Sequence, residues 1–130
     1  MSLLHTNAEF QKLLKTKELY KQIFNCSILP VIIHDMFLNI IDVNDKAQEV
    51  FGYSKEEMLE LQVLDLHTKA EYDHSLEVLE EMQHKDNLSA KSFFKRKDGA
   101  VFSAEVSPCK ISLQRAAFIH VHFQNVKFLD

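Results

Sequence analysis

Asn44-Asp45-Lys46-Ala47-Gln48-Glu49-Val50-Phe51-Gly52-Tyr53-Ser54-Lys55-Glu56-Glu57-Met58-Leu59 is the stretch on which the fold turns. Asn44 is a good N-cap, because its side-chain oxygen can accept from the free backbone N–H groups of a first helical turn. Ala47, Val50 and Phe51 follow at helical spacing. Gly52 then ends the helix in a left-handed conformation that a side chain would strain. Ser54 and Glu57 form a capping box that opens a further turn, and that turn buries Met58 and Leu61.

Upstream, Ile28 to Asp35 reads as a strand, rich in β-branched residues and with Pro30 near its start. Phe37 to Val43 reads as a second strand. The chain turns between Met36 and Asn39, leaving Asp35 at the mouth of a hairpin. Residues 6–26 read as an amphipathic helix, with Phe10, Leu13, Lys17, Tyr20 and Phe24 at alternating spacings of three and four. Leu14, Leu19 and Ile23 widen that surface beyond a narrow seam. Packing within the chain and a dimer contact both remain open for this helix, and Lys17 argues against a strict coiled coil.

Downstream, Val63, Leu64 and Leu66 form a short helical or irregular piece. Thr68-Lys69-Ala70-Glu71 repeats the capping-box pattern. It predicts a helix to about Lys85, with Tyr72, Leu76, Leu79 and Met82 on one side and Glu77, Glu80 and Glu81 facing water; Asp86-Asn87 ends it. Three strands close the chain. Leu88 to Lys95 leads into a sharp turn at Lys97-Asp98-Gly99. Val101 to Pro108 puts Phe102, Ala104 and Val106 on one face. Ser112 to Gln114 turns the chain into the last strand, Arg115 to Val126. The predicted class is α+β, a five-stranded antiparallel sheet with short helices on one face and an N-terminal amphipathic helix.

Composition narrows the function classes. The 130 residues have the size of one domain, and a hydrophobic share of 46% supplies a real core rich in phenylalanine. With 15 basic and 19 acidic residues the net charge is -4, and no basic stripe exists to contact nucleic acid. No apolar run is long enough to span a membrane, and the N-terminus lacks the pattern of a signal peptide. Cys26 and Cys109 are the two cysteines, far apart and outside any CxxC, which argues against a disulfide framework and a cysteine zinc site. Two glycines in the whole chain exclude a glycine-rich phosphate loop. A reducing, cytoplasmic setting is expected.

The stretch from Asn44 to Leu59, together with Phe94-Lys95-Arg96-Lys97-Asp98-Gly99-Ala100-Val101-Phe102, resembles the PAS domain, a small sensory module of signalling proteins. The resemblance runs from residue 24 to about 125. Asn44, Phe51, Gly52, Asp98 and Gly99 stand where the family's fold-building residues stand. At the exit the sequence departs from the pattern. Family members often end on an aspartate-isoleucine-threonine run, and here the corresponding stretch is Gln124-Asn125-Val126-Lys127. The resemblance implies a flanking helix at 1–26, a sensory domain at 27–126 and the start of a linker at 127–130. It also implies an output domain elsewhere in the same chain, such as a histidine kinase, a diguanylate cyclase or a transcription regulator.

Some relatives hold a flavin that forms an adduct with a cysteine, and the aligned position here is Val63; neither Cys26 nor Cys109 can substitute by position. Others bind haem through a histidine on the long helix, where His74 stands, although its spacing to Leu76 and Leu79 does not set it cleanly on the apolar side. His120 and His122 share a face of the last strand, and His34 lies across from them if the first strand pairs with the last. The three are candidates for a metal site or for plain structural histidines. A small-molecule pocket between the helices and the sheet would be lined by Ile33, Phe51, Met58, Leu66, Leu79, Phe94, Phe102 and Val106, which are also what an ordinary core needs. No nucleophile, base and orienting group stand together, so the chain is not expected to be an enzyme. The expected function is a sensory module that detects a small ligand or partner and controls an output domain through dimer geometry, with Phe10, Leu13, Tyr20 and Phe24 on the dimer helix. Constitutive dimerisation without ligand, and a haem or flavin sensor, are the alternatives.

Overall fold

The computed structural model describes residues 3–81 and 89–129, and the side chains of all of these except 3–6, 78 and 79. The elements in order are α1 (Leu3–Cys26), β1 (Val31–Asp35), β2 (Ile40–Val43), α2 (Asp45–Phe51), α3 (Lys55–Leu59), two 3-10 turns (Val63–Leu66 and Lys69–Glu71), α4 (Tyr72–Glu81), β3 (Ala90–Lys95), β4 (Val101–Leu113) and β5 (Ala116–Phe128). The strands form one antiparallel sheet in the order β2-β1-β5-β4-β3. The first strand therefore pairs with the last, and the short helices cover one face.

Both fold-deciding caps form. The Asn44 side chain accepts from the Ala47 amide, and Gly52 closes α2 at φ 80. The Ser54–Glu57 box is complete. The box expected at Thr68 is not made; its side chain caps nothing, and the chain turns through a 3-10 segment before α4 begins at Tyr72. Glu71 instead accepts from the Ser92 hydroxyl, 3.1 Å away. A 3-10 turn holds three residues where the α-helix holds 3.6, so it changes which residues of α4 face inward. The expected helix end and the start of the next strand fall partly at 82–88, outside the described residues.

Strand β1 begins later than expected because Ser27 folds onto Leu29, leaving Ile28 85% exposed. Strand β2 begins at Ile40 because Asp35 gathers the turn: its carboxylate accepts from the Phe37 and Asn39 amides and from the Asn39 side chain. Strand β4 runs through Pro108 to Leu113. At Pro108 it has passed its pairing with β3, so the missing N–H falls on an edge.

The inner face of the sheet and α2 meet in a cluster of phenylalanines. Phe51 lies edge-on to Phe94, Phe102 and Phe123, with ring centroids 5.2–5.9 Å apart. Ala47, Met58 and Leu66 close the cluster from the helical side. Near the end of β5 the ladder slips: Glu105 pairs with Gln124, but Ser103 pairs with Lys127. Asn125 is the extra residue, at φ 53, and its side chain donates to Glu105. Beyond this bulge Phe128 pairs with Phe102 and stands on the core side, where Arg96 lies over its ring.

Candidate functional site

A cavity of about 70 Å³ lies between the inner face of the sheet and the helical layer, beside the phenylalanine cluster. Strand β1 supplies Ile32 and His34, and the β1–β2 turn supplies Leu38. Val63, Leu66 and His67 come from the first 3-10 turn and the residue after it. His74 and Ser75 come from α4, and Ser92, Phe94, Val106, Pro108, Val121 and Phe123 from β3, β4 and β5. Most of this wall is hydrocarbon. Its polar groups are three imidazoles and two hydroxyls.

Each buried imidazole is oriented by a backbone carbonyl. His34 Nδ1 lies 2.7 Å from the carbonyl of Asp35, and His67 Nδ1 lies 3.2 Å from that of Phe93. A carbonyl only accepts, so both Nδ1 atoms carry the proton and both Nε2 atoms keep a lone pair. A relay reinforces this choice at His67. The Ser92 hydroxyl donates to Glu71, which leaves its oxygen free to accept from His67 Nδ1 at 3.4 Å. The His67 ring also rests against Phe94, 4.4 Å between centroids.

Burial holds both rings neutral. It pushes the His67 pKa down to about 4, the bond to the Phe93 carbonyl opposing and nearby His74 adding to the fall. Burial likewise lowers His34, against the pull of Asp35. Ser75 completes the polar set with a buried hydroxyl that has no hydrogen-bond partner among the described residues. A serine inside a helix usually bonds back to the carbonyl four residues earlier, so an idle hydroxyl on a cavity wall stands out.

Of the residues expected to line a pocket, Leu66, Phe94 and Val106 do so. Phe51, Met58 and Phe102 are fully buried in the neighbouring cluster and reach no part of the cavity. The side chain of Leu79 lies outside the described residues. Ile33 corrects a reading of the alternation: β1 turns Ile32 and His34 inward and Ile33 to the other face. The histidine trio is divided by the same register. His120 pairs with Ile33 and His122 with Val31 on the outer face, whereas His34 pairs with Ile119 on the inner one. Among the described residues no three metal-ligating side chains converge.

His34, His67, Ser75 and Ser92 were not anticipated as pocket residues, and His74 was expected off the apolar side; all line the cavity. The spacing of His34 from Ile32 was the available signal, since the two share a face. Neither large cofactor fits the cavity. Its volume is about half that of an engineered cavity that takes benzene, roughly 150 Å³. Val63, which the resemblance aligns with the flavin-reactive cysteine of some relatives, lines the cavity, and Cys26 and Cys109 are both exposed and away from its wall.

Helix α1 lies apart from this cavity. Phe10 and Leu13 are 56% and 68% exposed, and Leu14, Leu19 and Ile23 are exposed beside them. Tyr20 and Phe24 stack on each other at 5.4 Å, and the Tyr20 hydroxyl donates to Asp42. Burial and that carboxylate raise the Tyr20 pKa to about 12. No helix among the described residues is long and apolar enough to cross a membrane.

The model of the PAS domain family matches residues 25–126, and the chain belongs to that family. The PAS domain is a sensory module and not itself a catalyst. Solved structures agree on the fold. The chain is similar to a PAS domain from a two-component sensor histidine kinase, with 22% identity, a TM-score of 0.76 and coverage of 91% of this chain and 99% of that one. It is similar to the PAS domain of an HTR-like protein from Haloarcula marismortui at 16% identity and a TM-score of 0.79, covering 95% and 99% of the two chains. A domain of a sensory box sensor histidine kinase/response regulator from Geobacter sulfurreducens matches at 18% identity and a TM-score of 0.71, covering 87% and 96%. No curated protein matches the chain significantly.

Proposed function

We propose that this PAS domain is a ligand-responsive sensory module of a larger signalling protein, with the cavity as its input site and α1 as the route to its output. The observation that carries the reading is the idle, buried Ser75 hydroxyl on the cavity wall. A polar group left without a partner inside a core costs about 1–3 kcal/mol, and a bound molecule that hydrogen-bonds to it removes that cost. The residues around 27–126 would do the sensing. The exposed apolar stripe of α1, with Phe10 and Leu13 on it, would form a homodimer whose geometry the filled core biases. Histidine kinases, diguanylate cyclases and transcription regulators are the outputs such a module would serve.

The same exposed stripe favours a second reading, constitutive dimerisation without ligand. Both readings require the dimer, so its test comes first. Replacing Phe10 and Leu13 together by glutamate should convert the protein from dimer to monomer in sedimentation velocity, with the melting temperature of the sheet unchanged. A dimer that survives the double substitution would remove α1 from the mechanism. Native mass spectra of the unsubstituted protein separate the two readings, because a sensor with ligand retained shows excess small-molecule mass and a pure dimerisation module shows none.

A further inference from the structure

We infer that the cavity selects small, uncharged molecules that donate a hydrogen bond, such as short-chain alcohols or primary amides, over carbonyl compounds and carboxylates of the same size. The inference rests on the reading of the cavity as an input site and adds the chemistry that the site demands. Three observations define it. Both inward imidazoles have Nδ1 committed to a carbonyl, and neither Nε2 has a protein partner among the described residues. They are therefore acceptors open to a donor. Ser75 adds a hydroxyl that can accept or donate. Lastly, among the described residues the wall holds no Lys, Arg, Asp or Glu.

Charge is disfavoured by what the described wall lacks. An anion would need a fixed positive partner, and no described Lys or Arg lines the wall, while two of its three imidazoles, His34 and His67, are held neutral by the backbone carbonyls and by burial. A cation would need a carboxylate, and none of the described ones lines the wall; Glu71 stands behind Ser92. A ketone can accept from Ser75 but brings no proton for the two Nε2 lone pairs, so it makes one of the bonds that an alcohol makes. An alcohol or amide gives its proton to an imidazole, takes one from Ser75, and lays its hydrocarbon part against Ile32, Leu38, Val63, Leu66 and Val106. About half the volume that holds benzene leaves room for roughly three to five non-hydrogen atoms. With so few atoms the affinity cannot be tighter than about 3 micromolar for five atoms or about 0.5 millimolar for three.

The test uses 2-propanol, acetone and acetate, three probes of equal heavy-atom count that differ in donor and charge. Each is titrated to about 100 mM into the isotope-labelled protein, reading backbone amides around the cavity and the imidazole nitrogens of His34 and His67. The expected result is saturable shifts with 2-propanol, centred on His67, Ser75 and Ser92, with acetone and acetate at least fivefold weaker. Equal binding of acetone would overturn the donor requirement while leaving the cavity as an input site. Silence of the cavity toward all three would overturn the input site as well. A second arm uses Ser75→Ala, which should raise the melting temperature by removing the idle hydroxyl yet weaken 2-propanol several-fold. A lowered melting temperature would show that the hydroxyl serves the fold, and would overturn its place in recognition.

Discussion

Asn44 uses every hydrogen-bonding position an amide side chain has. Its Oδ1 accepts from the Val31 and Ala47 amides, both at 2.9 Å, and its Nδ2 donates to the carbonyls of Phe24 and Leu29. It is fully buried. Removing it leaves several backbone groups unpaired out of reach of water, so Asn44→Ala should cost about 2–4 kcal/mol in urea denaturation. Asn44→Asp keeps both accepted bonds but sets a carboxylate oxygen against two carbonyls, and should be destabilising also. The family resemblance pointed to Asn44 as a helix cap, and the capping bond was legible from its position. Its ties to α1 and β1 were not, because they join residues that only the folded chain brings together.

His67 makes stability depend on pH. Its folded pKa, about 4, lies below its ordinary value of 6.5. The unfolded chain therefore binds the proton more readily, and the contribution of neutral His67 is complete above pH 6.5. It is lost as pH falls toward 4, by about 3 kcal/mol in all. The denaturation midpoint of the unsubstituted protein should drop across that interval more steeply than that of His67→Gln. Parallel profiles would mean that His67 takes up its proton in the folded state near its ordinary pKa. Nothing in the local sequence marks His67 as buried, since it follows a short turn with no periodicity to read.

At the scale of elements, Arg96 joins three that are distant in sequence. Its guanidinium donates to the carbonyls of Glu49 and Val50 at the end of α2, pairs with Asp98 at 3.5 Å in the β3–β4 turn, and lies over the ring of Phe128 on β5 at 5.8 Å. A Cβ on Gly52 would stand 2.9 Å from the same guanidinium, so glycine there serves both the left-handed φ and the approach of Arg96. Arg96→Ala should cost about 1–2 kcal/mol, chiefly through the lost bonds to the two carbonyls. A double-mutant cycle with Phe128→Ala should give a coupling of about 0.5–1 kcal/mol. A coupling near zero would show that the ring and the guanidinium are merely adjacent. The Asp98-Gly99 turn and the caps of α2 and α3 were legible because turn and cap chemistry is local. The inward face of α4 was not, because the 3-10 segment before it sets its phase.

For the whole molecule, the family resemblance implied that the first strand pairs with the last, and hydrophobic alternation supplied most of the inner face of the sheet. What alternation alone misplaced was the cavity. It predicts which side of a strand is covered, but not where along that side the covering layer fails to fill. Here the large phenylalanines fill one half of the interior, and the smaller Ile32, Val63 and Val121 leave the other half short. On the proposed function, sensing would belong to the poorly filled half, and the well-filled half would hold the fold steady while the other changes occupancy.

The bulge at Asn125 sets a rule of parity for the end of β5. Side chains along a strand alternate, so each residue is even or odd with respect to the core, and the extra residue switches that count once. Deleting Asn125 itself would remove the bulge and leave Phe128 opposite Phe102 on the core side, whereas deleting Asn125 together with Val126 would turn Phe128 to the outer face and take it off Arg96. Loss of Asn125 alone should therefore be tolerated and loss of Asn125 with Val126 damaging, a pattern that the thermal stability of the one- and two-residue deletions would expose.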